Sequence, residues 1–203
     1  MTVERPRRPR TGPARLPALL LGLLLVAVPV ATGCAQEPST TRNAPAPAGS
    51  TPATTLGGTD AAWIQLMIPM NEQMLLALDL VAGQTTDQRI RDLAGRVAAN
   101  RRAELDDLRR LRGSAGLPTV NAHEGHDLPG MVIPADLVTL RALHDAAFDR
   151  AIGQTLREHV EQGARLADAE QTNGADPETR RLAERMGETR AAELGWLSHA
   201  TPK

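Results

Sequence analysis

The amino-acid sequence predicts an all-α protein whose folded part is a four-helix bundle built from two repeated helical hairpins. Ala, Leu, Arg and Glu, which favour helix, dominate the composition, and aromatic residues make up only 1% of it. The segment that begins at Asp87 reappears in outline at Asp176, and this offset of 89 residues pairs Arg101 with Arg190 without a gap. Because one hairpin alone cannot bury its apolar stripe, the repeat predicts that the two hairpins pack together.

Residues 1–33 have the organisation of a signal peptide. Five arginines precede an apolar run from Leu16 to Val30, and small residues follow that run. The run is about 15 residues long, whereas a helix needs roughly 20 apolar residues to span a bilayer. A permanent membrane span is therefore the weaker interpretation, and we expect the chain to be exported.

Cys34, the single cysteine, directly follows the small residues Ala31-Thr32-Gly33. This arrangement resembles the bacterial lipobox, and the resemblance implies cleavage before Cys34 and attachment of a diacylglyceryl group to its thiol. We expect a lipid-anchored, outward-facing protein of the cell envelope, held to the membrane through this lipid. The alternative is an ordinary secretory signal followed by an incidental cysteine.

Residues 34–58 are rich in Ser, Thr, Pro, Ala and Gly and contain almost no large apolar side chain. Such a segment cannot bury enough surface to offset the entropy lost on ordering, so we expect a disordered linker. The bundle domain is then predicted to occupy residues 59–200, a usual size for one domain with one core.

The first hairpin contains two predicted helices. The first begins at Thr59 or Asp60 and ends at Ala82 before Gly83, and Pro69 must kink or restart it. The second runs from Thr86 or Asp87 to about Arg112. A loop rich in Gly, Pro and His follows it.

The second hairpin is preceded by a short predicted helix, Ala135 to Leu143. A third long helix is expected from Asp145, as its cap, to Glu170, with Asn173-Gly174 closing it. The last helix opens at Asp176-Pro177, a capping residue followed by proline at the first helical position, and ends near His199.

Apolar residues at helical spacing predict which faces of the second and last helices are buried. The expected core residues are Leu93, Val97, Leu105, Leu108, Leu111, Leu182, Met186, Leu194 and Leu197.

The composition argues against several functions. A net charge of −1, with arginines interspersed among acidic residues, gives no basic patch for nucleic acid, and the near absence of aromatics removes stacking platforms. We find no nucleophile elbow, phosphate loop, dinucleotide fingerprint or His-Glu-x-x-His motif, so we do not expect an enzyme.

The segment from His123 to Met131 is the densest set of potential metal ligands in the chain. His123, His126 and Met131 lie with two carboxylates inside nine residues of Gly-containing backbone. Imidazole and thioether together suit copper better than magnesium or calcium. The alternative is a solvated connector whose histidines bind nothing.

A second candidate site lies in the bundle core. Met67, Met70 and Met74 share one side of the first helix, and the 89-residue offset makes Met70 equivalent to His159. If the two hairpins are related by a pseudo-twofold axis, a thioether and an imidazole could share a soft ion such as Cu(I) near that axis. Methionines at this spacing also commonly fill a core without binding a ligand.

Between Asp60 and His199 the chain resembles the bacterial domain-of-unknown-function 305 family. The resemblance is carried by Trp63-Ile64-Gln65-Leu66-Met67-Ile68-Pro69, by Ala147-Phe148-Asp149-Arg150 and by the His/Gly/Met loop between these segments. It implies an exported, ferritin-like bundle, associated with copper in some members, that carries two His-His pairs. Here the pair positions hold Met70-Asn71 and His159-Val160, so a site of four imidazoles cannot be carried over.

Two hypotheses follow from the sequence. In the first, the protein binds a metal ion such as copper through the loop and, in the core, through Met70 and His159. In the second, the bundle has lost its metal and serves as a structural or partner-binding lipoprotein, with protein partners that the sequence does not identify.

Overall fold

The computed structural model describes residues 56–200, and the regular secondary structure within this range is entirely helical. This confirms the all-α class. The helices are α1 (Gly58–Leu78), α2 (Val81–Gln84), α3 (Gln88–Ser114), α4 (Pro134–Arg141), α5 (Asp145–Asn173) and α6 (Pro177–Ala200).

The predicted signal peptide, the lipidation site at Cys34 and most of the predicted linker lie outside the described residues. The folded part begins slightly before residue 59. Leu56 packs against the core, Gly57 donates its N–H to Asp60, and α1 already starts at Gly58.

The first helix is shorter than the sequence suggested. α1 continues through Pro69 without restarting but ends at Leu78, and α2 forms a separate turn where we expected the last turn of one helix. Leu80 donates its N–H to the Ala77 carbonyl, three residues back, so the helix tightens and ends here.

Aspartates cap two of the long helices as predicted. The Asp87 carboxylate accepts a hydrogen bond of 2.9 Å from the N–H of Arg89 at the start of α3. At the start of α6, the Asp176 carboxylate accepts hydrogen bonds from the N–H and the hydroxyl of Thr179, at 2.7 and 2.8 Å.

The start of α5 differs from the prediction. The cap residue is His144, whose side chain makes no capping hydrogen bond, and Asp145 is the first helical residue. Asp145 has a φ of 46°, a left-handed conformation that aspartate tolerates better than most residues. The other end agrees better, since α5 runs to Asn173 and Gly174 is its C-cap.

The four long helices contact one another in a closed cycle: α1 packs on α3, α3 on α6, α6 on α5 and α5 on α1. Their apolar faces meet inside this cycle. The predicted core residues of α3 and α6 are buried, except that Leu194 is only partly buried. None of the helices within residues 56–200 is long and apolar enough to cross a membrane.

The hydrogen bond between Asp87 and the N–H of Arg89 can be tested by mutation. Replacing Asp87 with alanine should lower the free energy of unfolding by about 1 kcal/mol, since the N–H of Arg89 loses its acceptor. Chemical denaturation measures the loss. The matched control is Asp92→Ala one turn later, where the exposed carboxylate caps no backbone group; an equal loss in both variants would contradict the capping role.

Candidate functional site

Four charged side chains lie in the interior between α3 and α6. Arg101 and Glu104 come from α3, and Arg190 and Glu193 come from α6. Arg101, Arg190 and Glu193 are 0% exposed and Glu104 is 7% exposed. Charged residues are almost never buried to this degree unless they are paired, so we expect each of these four to have a partner.

The four side chains form two pairs that cross between the helices. Arg190 donates two hydrogen bonds to Glu104, of 2.7 and 2.8 Å, and Arg101 donates one of 2.5 Å to Glu193. Within each helix the contacts are longer: Arg101 lies 3.4 Å from Glu104, and Arg190 lies 3.6 Å from Glu193. The 89-residue offset relates the two crossed pairs, because it makes Arg101 equivalent to Arg190 and Glu104 equivalent to Glu193.

Two asparagines supply the next hydrogen bonds. Asn71 on α1 donates to Glu104 at 2.9 Å, and Asn100 on α3 donates to Glu193 at 2.9 Å. Each carboxylate therefore binds one guanidinium closely and one carboxamide. We call Asn71, Arg101, Glu104, Arg190 and Glu193 the core ion network.

Burial works against the charged state of the carboxyl groups. It raises the pKa of Glu104 to about 7, although the positive charge of Arg101 opposes the rise, and it also raises the pKa of Glu193. The hydrogen bonds from Arg190 favour an ionised Glu104. The network thus balances a desolvation cost against close ion pairing.

His159 on α5 lies at the edge of this network, fully buried. Its Nδ1 is 3.1 Å from the Gly130 carbonyl oxygen, and its Nε2 is 3.5 Å from Nη1 of Arg101. A carbonyl only accepts and a guanidinium only donates, so the contacts define a neutral ring that carries its proton on Nδ1. Burial, and then the charge of Arg101, lowers the pKa of His159 to about 3.

These contacts do not fit a metal ion at the positions where the family resemblance implies one. The hydrogen on Nδ1 is bonded to Gly130, and a cation at Nε2 would have to replace Arg101 as its neighbour. Asn71 is bonded to Glu104, and Val160 belongs to the apolar core. The contacts of His159 therefore do not fit a metal ion held between its ring and Met70.

The methionines of α1 are part of the apolar core. Met67 and Met70 belong to one hydrophobic cluster together with Met131 and Met186, and Met74 belongs to a second cluster. All five side chains are at most 9% exposed. Their placement agrees with the alternative that methionines fill the core.

The loop histidines are arranged differently. A turn closed by a 3.0 Å hydrogen bond from the His126 N–H to the His123 carbonyl brings their rings together, with centroids 5.8 Å apart and planes at 72°. Asn121 supports the turn by accepting the His123 N–H at 2.9 Å. His126 is exposed and His123 is half-buried, so solvent reaches the pair.

Met131 does not join the loop histidines in one exposed group, because its side chain packs into the core cluster of α1, α3 and α6. Among residues 56–200, no three side chains of His, Cys, Asp or Glu are grouped so that they could hold a metal ion. The loop therefore offers two imidazoles, not the larger ligand set that the sequence suggested.

Reasoning from sequence missed the core ion network, although two signals pointed to it. The repeat register pairs Arg101 with Arg190 and Glu104 with Glu193. In addition, Arg101 lies four residues from both Val97 and Leu105, and so interrupts an apolar stripe.

Residues 56–200 thus form an all-helical domain with a buried ion network. A sequence model described as Domain of unknown function (DUF305) matches residues 60–200, and the chain belongs to this family. No curated protein matches the chain.

Three solved structures share the fold. A DUF305 protein of Streptomyces coelicolor, thought to be secreted, is 22% identical with a TM-score of 0.63, covering 70% of this chain and 90% of that one. A DUF305 fragment from Deinococcus radiodurans is 18% identical with a TM-score of 0.64, covering 71% and 95%. A protein of Bacillus halodurans thought to be a spore coat protein is 14% identical with a TM-score of 0.57, covering 71% and 86%.

Proposed function

We propose that this protein is an exported, lipid-anchored helical bundle that binds a copper ion at its surface through His123 and His126. The observation that carries the proposal is the turn that places the rings of the exposed His126 and the half-buried His123 with their centroids 5.8 Å apart. Imidazole nitrogen is a good ligand for copper, and the turn presents two imidazoles to one side of the loop.

Export and lipid anchoring rest on the sequence of residues 1–34. The basic segment, the short apolar run and Cys34 after small residues support an exported chain held by a lipid. The Streptomyces coelicolor relative that is thought to be secreted supports the same location.

We interpret the closed cycle of α1, α3, α6 and α5 as a ferritin-like four-helix bundle. In bundles that hold metal in the interior, ligands project inward from facing helices. Here inward positions of α3 and α6 carry crossed Arg–Glu pairs, which favours a peripheral metal site and a non-catalytic role.

Copper titration tests this proposal. We expect the double variant His123→Ala, His126→Ala to bind Cu(II) at least about tenfold more weakly than the natural chain, since both imidazoles are removed. Isothermal titration of the predicted bundle domain, residues 59–200, with a competing chelator measures the affinity.

The control variant is His144→Ala, His199→Ala, which removes two exposed imidazoles from other places. Its affinity should equal that of the natural chain. Equal affinity in all three proteins would show that the loop binds no copper specifically.

A second function is favoured by the core ion network itself. The crossed ion pairs join α3 to α6 across the interior, which supports a structural or partner-binding lipoprotein. The titration separates the two functions, because this second one predicts no copper affinity that depends on His123 and His126.

A further inference from the structure

A second group of buried acids lies where three helix ends meet. Asp60 is near the start of α1, Glu170 near the end of α5, and Asp176 caps α6. Asp60 is 0%, Glu170 1% and Asp176 6% exposed. Three enclosed carboxyl groups in one place require a physical explanation, because each would lose its hydration if it were ionised.

Two of the three carboxylates accept hydrogen bonds from N–H or O–H groups. Asp60 accepts the N–H groups of Gly57, Ala175 and Asp176 at 2.8 to 3.2 Å. Asp176 accepts from the N–H and hydroxyl of Thr179. Although burial acts to raise the pKa of Asp60, its N–H donors lower it below its usual value.

Glu170 has no such donors. Neither of its oxygens has an N–H or O–H partner among the described residues, yet its carboxyl group contacts that of Asp60. A Cβ atom at Gly174 would overlap Oε1, so the backbone of the α5–α6 connection closes over it. Two carboxyl groups in contact share a hydrogen bond only if one of them carries a proton.

We propose that a protonated Glu170 donates a hydrogen bond to Asp60 and so holds this end of the bundle together. Loss of that proton at alkaline pH then opens the α5–α6 connection. Asp60 also accepts the N–H of Gly57, so the same proton stabilises the point where the chain enters the domain. The Glu170–Asp60 contact therefore joins Gly57 to α1, α5 and α6.

The surrounding charges agree with this assignment. Asp60 on α1 and Asp176 on α6 both disfavour a negative charge on Glu170, and Arg180 on α6 opposes them. Arg180 uses its Nε to bond the Gln171 carbonyl. Burial, followed by the contact with Asp60, raises the pKa of Glu170 to about 8.

The direction of the pH effect follows from this raised pKa. The folded state keeps the Glu170 proton up to about pH 8, whereas the unfolded chain releases it near its ordinary value of 4.5. The folded state therefore binds more protons than the unfolded state between these values, and the stability from this group falls as the pH rises through that window.

The test compares the melting temperature of the natural chain with that of Glu170→Gln between pH 5 and pH 9. The glutamine amide can donate to Asp60 at every pH, so the variant should match the natural chain near pH 5 and exceed it by roughly 5–15 °C at pH 9. Because Glu104 and Glu193 titrate in both proteins, the difference between the two curves isolates Glu170.

Two outcomes would overturn the proposal. One is a melting-temperature difference that stays constant from pH 5 to pH 9. The other is a recovery of the natural chain at pH 9 on adding calcium or magnesium chloride that Glu170→Gln does not show, because Glu170 would then serve a cation. Carbon NMR of the labelled Glu170 carboxyl, titrated in the natural chain, gives a direct second measurement and should report a midpoint far above pH 4.5.

Discussion

Replacing Arg190 with methionine is expected to lower the free energy of unfolding by about 3–5 kcal/mol, the usual cost of leaving one partner of a buried ion pair alone. Arg190 donates both of the short guanidinium hydrogen bonds that Glu104 receives. Without them, Glu104 keeps Asn71 and a more distant Arg101 at a position where the residue is 7% exposed in the natural chain. Urea denaturation at pH 7 measures the loss.

Two further variants separate ion pairing from side-chain loss. Arg109→Met removes one partner of an exposed pair, in which Arg109 lies 2.8 Å from Glu72, and should cost less than about 1 kcal/mol. Changing Arg190 and Glu104 together to methionine should restore part of the stability, because no unpaired charge stays buried. If Arg190→Met cost no more than Arg109→Met, the core ion network would contribute little to stability.

Replacing Gly130 with alanine is expected to cost roughly 3 kcal/mol, from backbone strain and steric overlap together. Gly130 has a φ of 73°, and an added Cβ would lie 2.6 Å from Cβ of Gln162 and 2.8 Å from the Glu158 carbonyl oxygen. The backbone would have to move away from α5. That movement would also withdraw the carbonyl oxygen that accepts from His159.

Gly125→Ala is the matched control. Gly125 has a φ of 75°, and an added Cβ would meet nothing within 4 Å, so only the strain of about 1 kcal/mol applies. Thermal denaturation compares the two variants, and hydrogen exchange should show faster opening near Met131 in Gly130→Ala alone. Equal losses in both variants would mean that the contact of Gly130 with α5 is not important.

Much of the fold could be predicted because local patterns determine it. The spacing of Leu93, Val97, Leu105 and Leu108 indicates a buried helical face, and each of these residues is buried. Asp87 and Asp176 act as caps through contacts within three residues of themselves. Patterns of this kind need no knowledge of the rest of the chain.

What could not be predicted depends on contacts between distant segments. Arg and Glu usually face solvent, so Arg101 and Glu193 indicate an interior pair only when α3 and α6 are known to lie side by side. The same is true of Met131, which sequence proximity assigned to the loop and tertiary packing assigns to the core. The break after Leu78 also went unpredicted, since no proline or glycine occurs there.

The crossed pairs also bear on how the chain folds. If the hairpin of α1 and α3 formed alone, Arg101 and Glu104 would lack the partners that α6 supplies near the end of the chain. That hairpin has no complete interior until the last helix has docked, because its charges would stay hydrated and its apolar face uncovered. We therefore expect the domain to unfold in a single cooperative transition, with no stable state in which only one hairpin is folded.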